Sequence, residues 1–205
     1  MKAWPFGDLT PAKYGALLID FPLHYQMRSE EGYGRSSEAH YATMTEAELS
    51  ELPTAALAAP DCMAWVWSTW AHLPMVTRIM RRQGWTWKTG GAWTKLYMSG
   101  NPAVGTGFIL RGVTEPWGIF TLGCPRVGSH SVRNHIETVE WVDEDEFPSL
   151  IKALRREHSR KPAEAREMLR ALRPDCHIAE LFAREPWDGC DVWGNQTDKF
   201  SEVAA

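Results

Sequence analysis

Tyr14-Gly15-Ala16-Leu17-Leu18-Ile19-Asp20 is a short, almost unbroken apolar run that stops abruptly at an acid. Apolar residues on consecutive rather than alternate positions fit a strand buried on both faces, the situation of a parallel sheet. The residue just past such a strand lies at the carboxyl edge of the sheet, where open α/β folds bind their ligands. Asp20 therefore stands where chemistry is done, although an acid after a strand is also an ordinary turn former. Cys62-Met63-Ala64-Trp65-Val66-Trp67-Ser68 and residues 177–182 repeat the pattern and predict two more strands.

Helix signals alternate with these runs. Thr45-Glu46-Ala47-Glu48 is a capping box opening a helix that must end before Pro53. Over residues 72–83, Leu73, Val76, Ile79 and Met80 recur at helical spacing and stop at Gly84. Residues 162–172 give a last helix. Further strands are expected over residues 85–95, with an interruption at Gly90-Gly91, over 115–123, where Pro116 is tolerated at the start, and over 134–142. Residues 24–42 and 96–107 read as loops. The acidic residues 140–146 read as a solvated helix start, because acids suit that end of a helix. Alternating strands and helices define an α/β protein with a mainly parallel sheet and helices on both faces. At 205 residues, one domain spanning 1–205 is expected.

Composition narrows the partners. A net charge of −4 excludes a uniformly basic surface, so nucleic-acid binding would need a local cluster of Lys and Arg. Eleven tryptophans are not ordinary; most read as core, while an indole face can also serve as a stacking platform for a flat base. The four cysteines, Cys62, Cys124, Cys176 and Cys190, form no Cys-x-x-Cys pair and read as reduced thiols. No apolar run approaches the ~20 residues of a membrane span, and residues 1–8 lack a signal-peptide core. A cytoplasmic protein without metal or membrane attachment is expected. No Gly-x-Gly-x-x-Gly follows a strand and no Gly-x-Ser-x-Gly elbow is present, which argues against nicotinamide and serine-hydrolase chemistry.

The last quarter carries three motifs in order: Arg156-Glu157-His158-Ser159-Arg160-Lys161-Pro162, then Glu180-Leu181-Phe182-Ala183-Arg184, then Trp193-Gly194-Asn195-Gln196. This arrangement resembles the cofactor end of the permuted adenine N(6)-methyltransferases, a family that includes the eukaryotic mRNA adenine methylase and phage and bacterial DNA adenine methylases. Similarity also runs through residues 40–44, Lys88-Thr89, Trp93-Thr94-Lys95, Gly105-Thr106-Gly107-Phe108, Arg111 and Glu115, and so covers nearly the whole chain. The family's Asp-Pro-Pro-Trp loop is altered to Asp20-Phe21-Pro22-Leu23.

The resemblance implies a Rossmann-like, S-adenosylmethionine-dependent methyltransferase fold. It implies a cofactor site at Lys161, Glu180, Phe182, Arg184, Asn195 and Gln196, and a catalytic loop at Asp20, Phe21, Pro22 and Leu23. Its target contacts fall on His24, Tyr25, Arg28, Lys95 and Arg111, where basic and aromatic residues suit a flipped or single-stranded base. The chemistry is apt. Adenine's amino nitrogen is a poor nucleophile until a carboxylate and a backbone carbonyl accept its two N–H bonds and pull it toward tetrahedral geometry. Phe21 loses the fixed φ of proline, and Leu23 offers no π face, leaving Phe21, His24 or Tyr25 to stack. The expected activity is methyl transfer to adenine's exocyclic amine in nucleic acid, DNA before RNA. A non-catalytic homologue that binds nucleic acid or supports a protein partner stays open, as do a homodimer and an RNA or other amino-bearing acceptor.

Overall fold

A computed structural model describes residues 3–24, 43–97, 99–105, 109–141 and 161–197. Seven strands form one sheet: β1 Tyr14–Ile19, β2 Ala58–Trp67, β3 Thr86–Tyr97, β4 Thr114–Leu122, β5 His135–Trp141, β6 Ile178–Leu181 and β7 Cys190–Trp193. Their spatial order is β5-β3-β4-β2-β1-β6-β7. β1 pairs in parallel with β2 on one side and β6 on the other, and β6 with β7; β3 and β5 are also parallel. Only β4 runs against its neighbours, antiparallel to both β2 and β3. The sheet is thus mainly parallel, as expected, with one reversed strand inserted.

Four helices are described: α1 Glu46–Glu51, α2 Thr54–Leu57, α3 Leu73–Arg82 and α4 Ala163–Leu172. The capping box forms as predicted. The Thr45 hydroxyl accepts from the Glu48 N–H at 3.2 Å, and the Glu48 carboxylate accepts from the Thr45 N–H at 2.8 Å, an arrangement worth about 1 kcal/mol. α3 ends in a Schellman motif. Gly84 takes φ +90, its N–H donates to Arg81, and the Trp85 N–H reaches back to the Met80 carbonyl at 3.0 Å.

The helices divide between the two faces. Leu49, Leu57, Val76, Ile79 and Met80 from α1, α2 and α3 pack with Tyr14, Leu17, Ile19, Val66 and Phe120 on one face. Ala165 and Leu169 of α4 pack with Leu18, Trp65, Trp67, Trp93 and Trp117 on the other. Five tryptophans are core in this way, Trp85 included, and Trp65 stacks on Trp117 with ring centroids 3.9 Å apart.

Two expectations are corrected here. Gly90-Gly91 does not interrupt β3, whose register shift falls between Trp87 and Thr89. A Cβ at Gly90 or Gly118 would run into the Trp87 ring, and one at Gly91 into Trp117. The glycines leave room for indoles lying flat on both faces. Glu140 and Trp141, expected to open a solvated helix, instead end β5; residues 142–146 lie outside the described residues. Among the described residues, no helix is long and apolar enough to cross a membrane.

Candidate functional site

Register places the site. Ile19 at the end of β1 lies opposite Val66 of β2 and Leu181 of β6. Asp20 follows at the carboxyl edge, in the crevice between β1 and β6 where the chain switches from one side of the central strand to the other. Strand alternation sends Asp20 to the same face as Ala16 and Leu18, the face covered by α4. On β4, Trp117 pairs with Trp67, so Glu115, two residues earlier, projects over the same edge.

Lys161, just before α4, spans the two acids. Its Nζ lies 3.3 Å from Asp20 Oδ2 and 3.2 Å from Glu115 Oε2. Lys95 Nζ approaches the other Glu115 oxygen at 2.8 Å. The alternating series Asp20–Lys161–Glu115–Lys95 is backed by indoles, with Lys161 5.6 Å from the Trp67 ring centroid and Lys95 4.3 Å from that of Trp93. Burial acts to raise the Glu115 carboxyl, but the two ammonium groups outweigh it and hold the group at about 2.

One strand over, Glu180 is buried at the end of β6. Arg166 of α4 grips it through two bonds, Nε to Oε2 at 3.1 Å and Nη2 to Oε1 at 3.3 Å. The Trp187 indole N–H donates to Oε2 at 2.6 Å. Arg166 Nη1 also donates to Glu185 Oε1 at 2.7 Å, so one guanidinium serves two buried carboxylates. Burial pushes the Glu180 carboxyl above its ordinary range, and the nearby Asp20 charge adds to this, while Arg166 and Trp187 pull it back. Among the described residues, donors take three of the four acceptor positions of the carboxylate, the fourth lying on Oε1.

The loop after β1 is held at each residue. The Asp20 N–H donates to Leu181 O at 3.4 Å, the Leu23 N–H to Phe21 O at 2.8 Å, and the Met44 N–H to Pro22 O at 2.8 Å. Phe21 and Leu23 are 3% and 8% exposed, and the Phe21 ring packs 5.9 Å from that of Phe182. Neither presents a face to solvent. His72 Nε2 bonds the His24 carbonyl at 2.9 Å, and Nδ1 contacts Thr69 Oγ1 at 2.8 Å. A carbonyl only accepts, so Nε2 carries the proton. Burial holds the imidazole below its ordinary range, so Nδ1 accepts the threonine hydroxyl.

The cofactor-end residues converge on the same edge. Phe182 adopts φ +62, a left-handed conformation costing about 1–3 kcal/mol in a bulky residue. Its ring is wedged between Phe21 and Trp193, the latter centroid 5.1 Å away. A Cβ at Gly194 would collide with the backbone of residues 182 and 183, so glycine lets the turn bearing Asn195 and Gln196 close against β6. Asn195 is exposed and Gln196 half-buried. Arg184 follows Ala183, whose N–H donates to Trp193 O at 3.0 Å and ties this segment to the strand that leads into the Gly194 turn.

Of the predicted site residues, Asp20 meets Lys161 directly, and Glu115 links Lys161 to Lys95. Glu180 stands one strand away, and Phe182 joins the two loops. Arg111 lies exposed ahead of β4, and His24 contributes its carbonyl. Tyr25 and Arg28 lie outside the described residues. The sequence reading assigned no role to Glu115, Arg166, Glu185, Trp187 or His72. A signal for Arg166 existed, since a Glu in a strand buried on both faces demands a nearby cation.

The MT-A70 family profile matches residues 14–196. A type II methyltransferase, M.MunI from Mycoplasma sp, is 27% identical over 208 residues, covering 92% of this chain and 80% of that protein. The match begins at β1 and runs through the Gly194–Gln196 turn, taking in every element that builds this edge, and the chain belongs to the MT-A70 family of methyltransferases.

Proposed function

We propose that the chain transfers a methyl group from S-adenosylmethionine to the exocyclic amine of adenine in DNA. The observation that carries this reading is the position of Asp20. It stands at the crevice beside β1, cross-linked by Lys161 at 3.3 Å, with the Glu180 site on the neighbouring strand.

The residues fit the cofactor. Glu180 retains one acceptor position for a ribose hydroxyl, and Gly194 allows Asn195 and Gln196 to approach it. Phe182 and Arg184 complete that end, and Lys161 holds Asp20 at 3.3 Å beside it. When bound, S-adenosylmethionine supplies an electrophilic methyl group on a sulfonium. The chain's own work is to orient and polarise the acceptor. The Asp20 carboxylate accepts one N–H of the amine, and a loop carbonyl accepts the other. Phe21 O and Pro22 O each accept one bond and keep a second lone pair for this purpose. Drawing the two hydrogens out of the ring plane makes the nitrogen tetrahedral and frees its lone pair, and the proton departs to solvent after transfer. Lys95 and Glu115 border the acceptor side. DNA as acceptor is supported by resemblance to DNA adenine methylases, and methyl transfer by the similarity to a type II methyltransferase.

A second reading, a binding subunit without catalysis, is favoured by one observation: Phe21 and Leu23 are buried, so neither offers a ring to a base. Incubation with S-adenosylmethionine and single-stranded DNA, duplex DNA or RNA, followed by mass spectrometry of the nucleosides, separates the two. The proposal expects N(6)-methyladenine from DNA. Cofactor binding without any methylated nucleoside would leave the binding subunit.

A further inference from the structure

Behind the ionic edge, on the opposite face of the sheet, lies an open depression of about 490 Å³. Its floor is bare strand, Gly90 and Ala92 of β3, and Trp87, Leu73 and Trp70 wall it on the α3 side, with His135 across from them. Trp70 is 56% exposed yet not free to swing, because its indole N–H donates to Thr114 Oγ1 at 2.9 Å. A large ring pinned in solvent contributes nothing to the core, and its fixed position means little entropy is lost when something flat settles on it.

The chemistry around the depression selects its occupant. None of its described lining residues is acidic. Asn134 and His135 line its rim, the Asn134 amide donating to Gly90 O at 3.5 Å and the His135 Nε2 meeting Thr94 Oγ1 at 2.9 Å. Exposed Lys88 and Arg133 are the chain neighbours of Trp87 and Asn134, suited to phosphate. The depression also adjoins the methyl-transfer edge: Thr114, which holds Trp70, is followed directly by Glu115, which binds Lys161.

We propose that this depression binds a second nucleobase of the strand that carries the acceptor adenine, stacked on Trp70. The proposal rests on the reading of the chain as a nucleic-acid methyltransferase. It makes Trp70 a substrate-binding residue that holds a base other than the one methylated, and it gives the strand a fixed path over the start of β4.

The test is an abasic scan with the whole chain. Single-stranded DNA containing one adenine is prepared with an abasic site at each flanking position in turn, and methylation kinetics are compared for the parent, Trp70→Ala and Trp70→Phe. Trp70→Ala should raise KM about tenfold, in line with the loss of one stacked base, with kcat within about twofold. Trp70→Phe should recover most of the loss. One abasic position should cost the parent the same factor and cost Trp70→Ala nothing. An unchanged KM in Trp70→Ala, or an abasic penalty that simply adds to the mutation, overturns the subsite. Should the parent methylate nothing, it is the proposed reaction that fails. Fluorescence anisotropy with the same labelled DNA then decides the subsite: about tenfold weaker binding by Trp70→Ala supports it, and equal affinity, or no binding by the parent, overturns it.

Discussion

Two loops meet at the carboxyl edge, and they keep their shapes by opposite means. The loop after β1 keeps only Asp20 and Pro22 of its four-residue family motif, yet its own residues anchor it: Phe21 and Leu23 are buried, and the carbonyls of Phe21, Pro22 and His24 all accept hydrogen bonds. The proposed cofactor end keeps its motif, yet its central carboxylate is held by residues outside that motif, Arg166 and Trp187. Pre-organisation can therefore survive the loss of a proline when side-chain burial restrains the same backbone, and a preserved motif can depend on partners that the motif does not contain. Phe182 joins the two loops, packed between Phe21 and Trp193.

The comparison breaks most severely at Arg166. Arg166→Ala removes the guanidinium that serves two buried carboxylates, Glu180 and Glu185, and should cost about 3–5 kcal/mol in chemical denaturation. Cofactor binding by calorimetry should be lost as well, with Arg166→Lys intermediate because it cannot bond bidentately. Phe21→Ala should cost about 3 kcal/mol, the scale for emptying a buried aromatic site. Here the split between loops is sharpened: kcat should fall while cofactor affinity changes less than threefold, roughly.

Glu115 tests the ion series through pH. Its folded-state value near 2 lies below the ordinary 4.5. The stability it contributes is present above that ordinary value and is lost as pH falls toward 2. Glu115→Gln should thus be less stable than the parent at pH 7, by on the order of 2 kcal/mol, with the two denaturation curves converging near the acid end. The smallest effect is expected from restoring the family aromatic. Leu23 occupies the core, so Leu23→Trp overpacks it and should destabilise by about 1–3 kcal/mol without raising activity. A gain in activity would show that residue 23 can face the acceptor.

The positions that govern this edge were legible in the chain to different degrees. β1 and its terminal acid, the Thr45 capping box, the Gly84 stop and the helix faces all follow from local patterns, and the structure realises each one. The reversal of β4 did not follow from apolarity, because a buried strand reads alike in either direction. A better signal was the lack of any helix pattern between β3 and β4, since parallel neighbours need a crossover. Gly90 and Gly91 read as a break because the indoles that need the space, Trp87 and Trp117, meet them only in the folded sheet. Arg166 was hidden for a related reason: on α4 it looks like a surface residue, and its partner lies on a later strand.

The most direct test of this account is single-turnover methyl transfer by the parent and Asp20→Asn, with cofactor binding measured on both. The account predicts N(6)-methyladenine from the parent, a rate lower by on the order of a thousandfold in Asp20→Asn, and similar cofactor affinity in the two. A parent that binds the cofactor and transfers nothing, or an Asp20→Asn variant as fast as the parent, would contradict it.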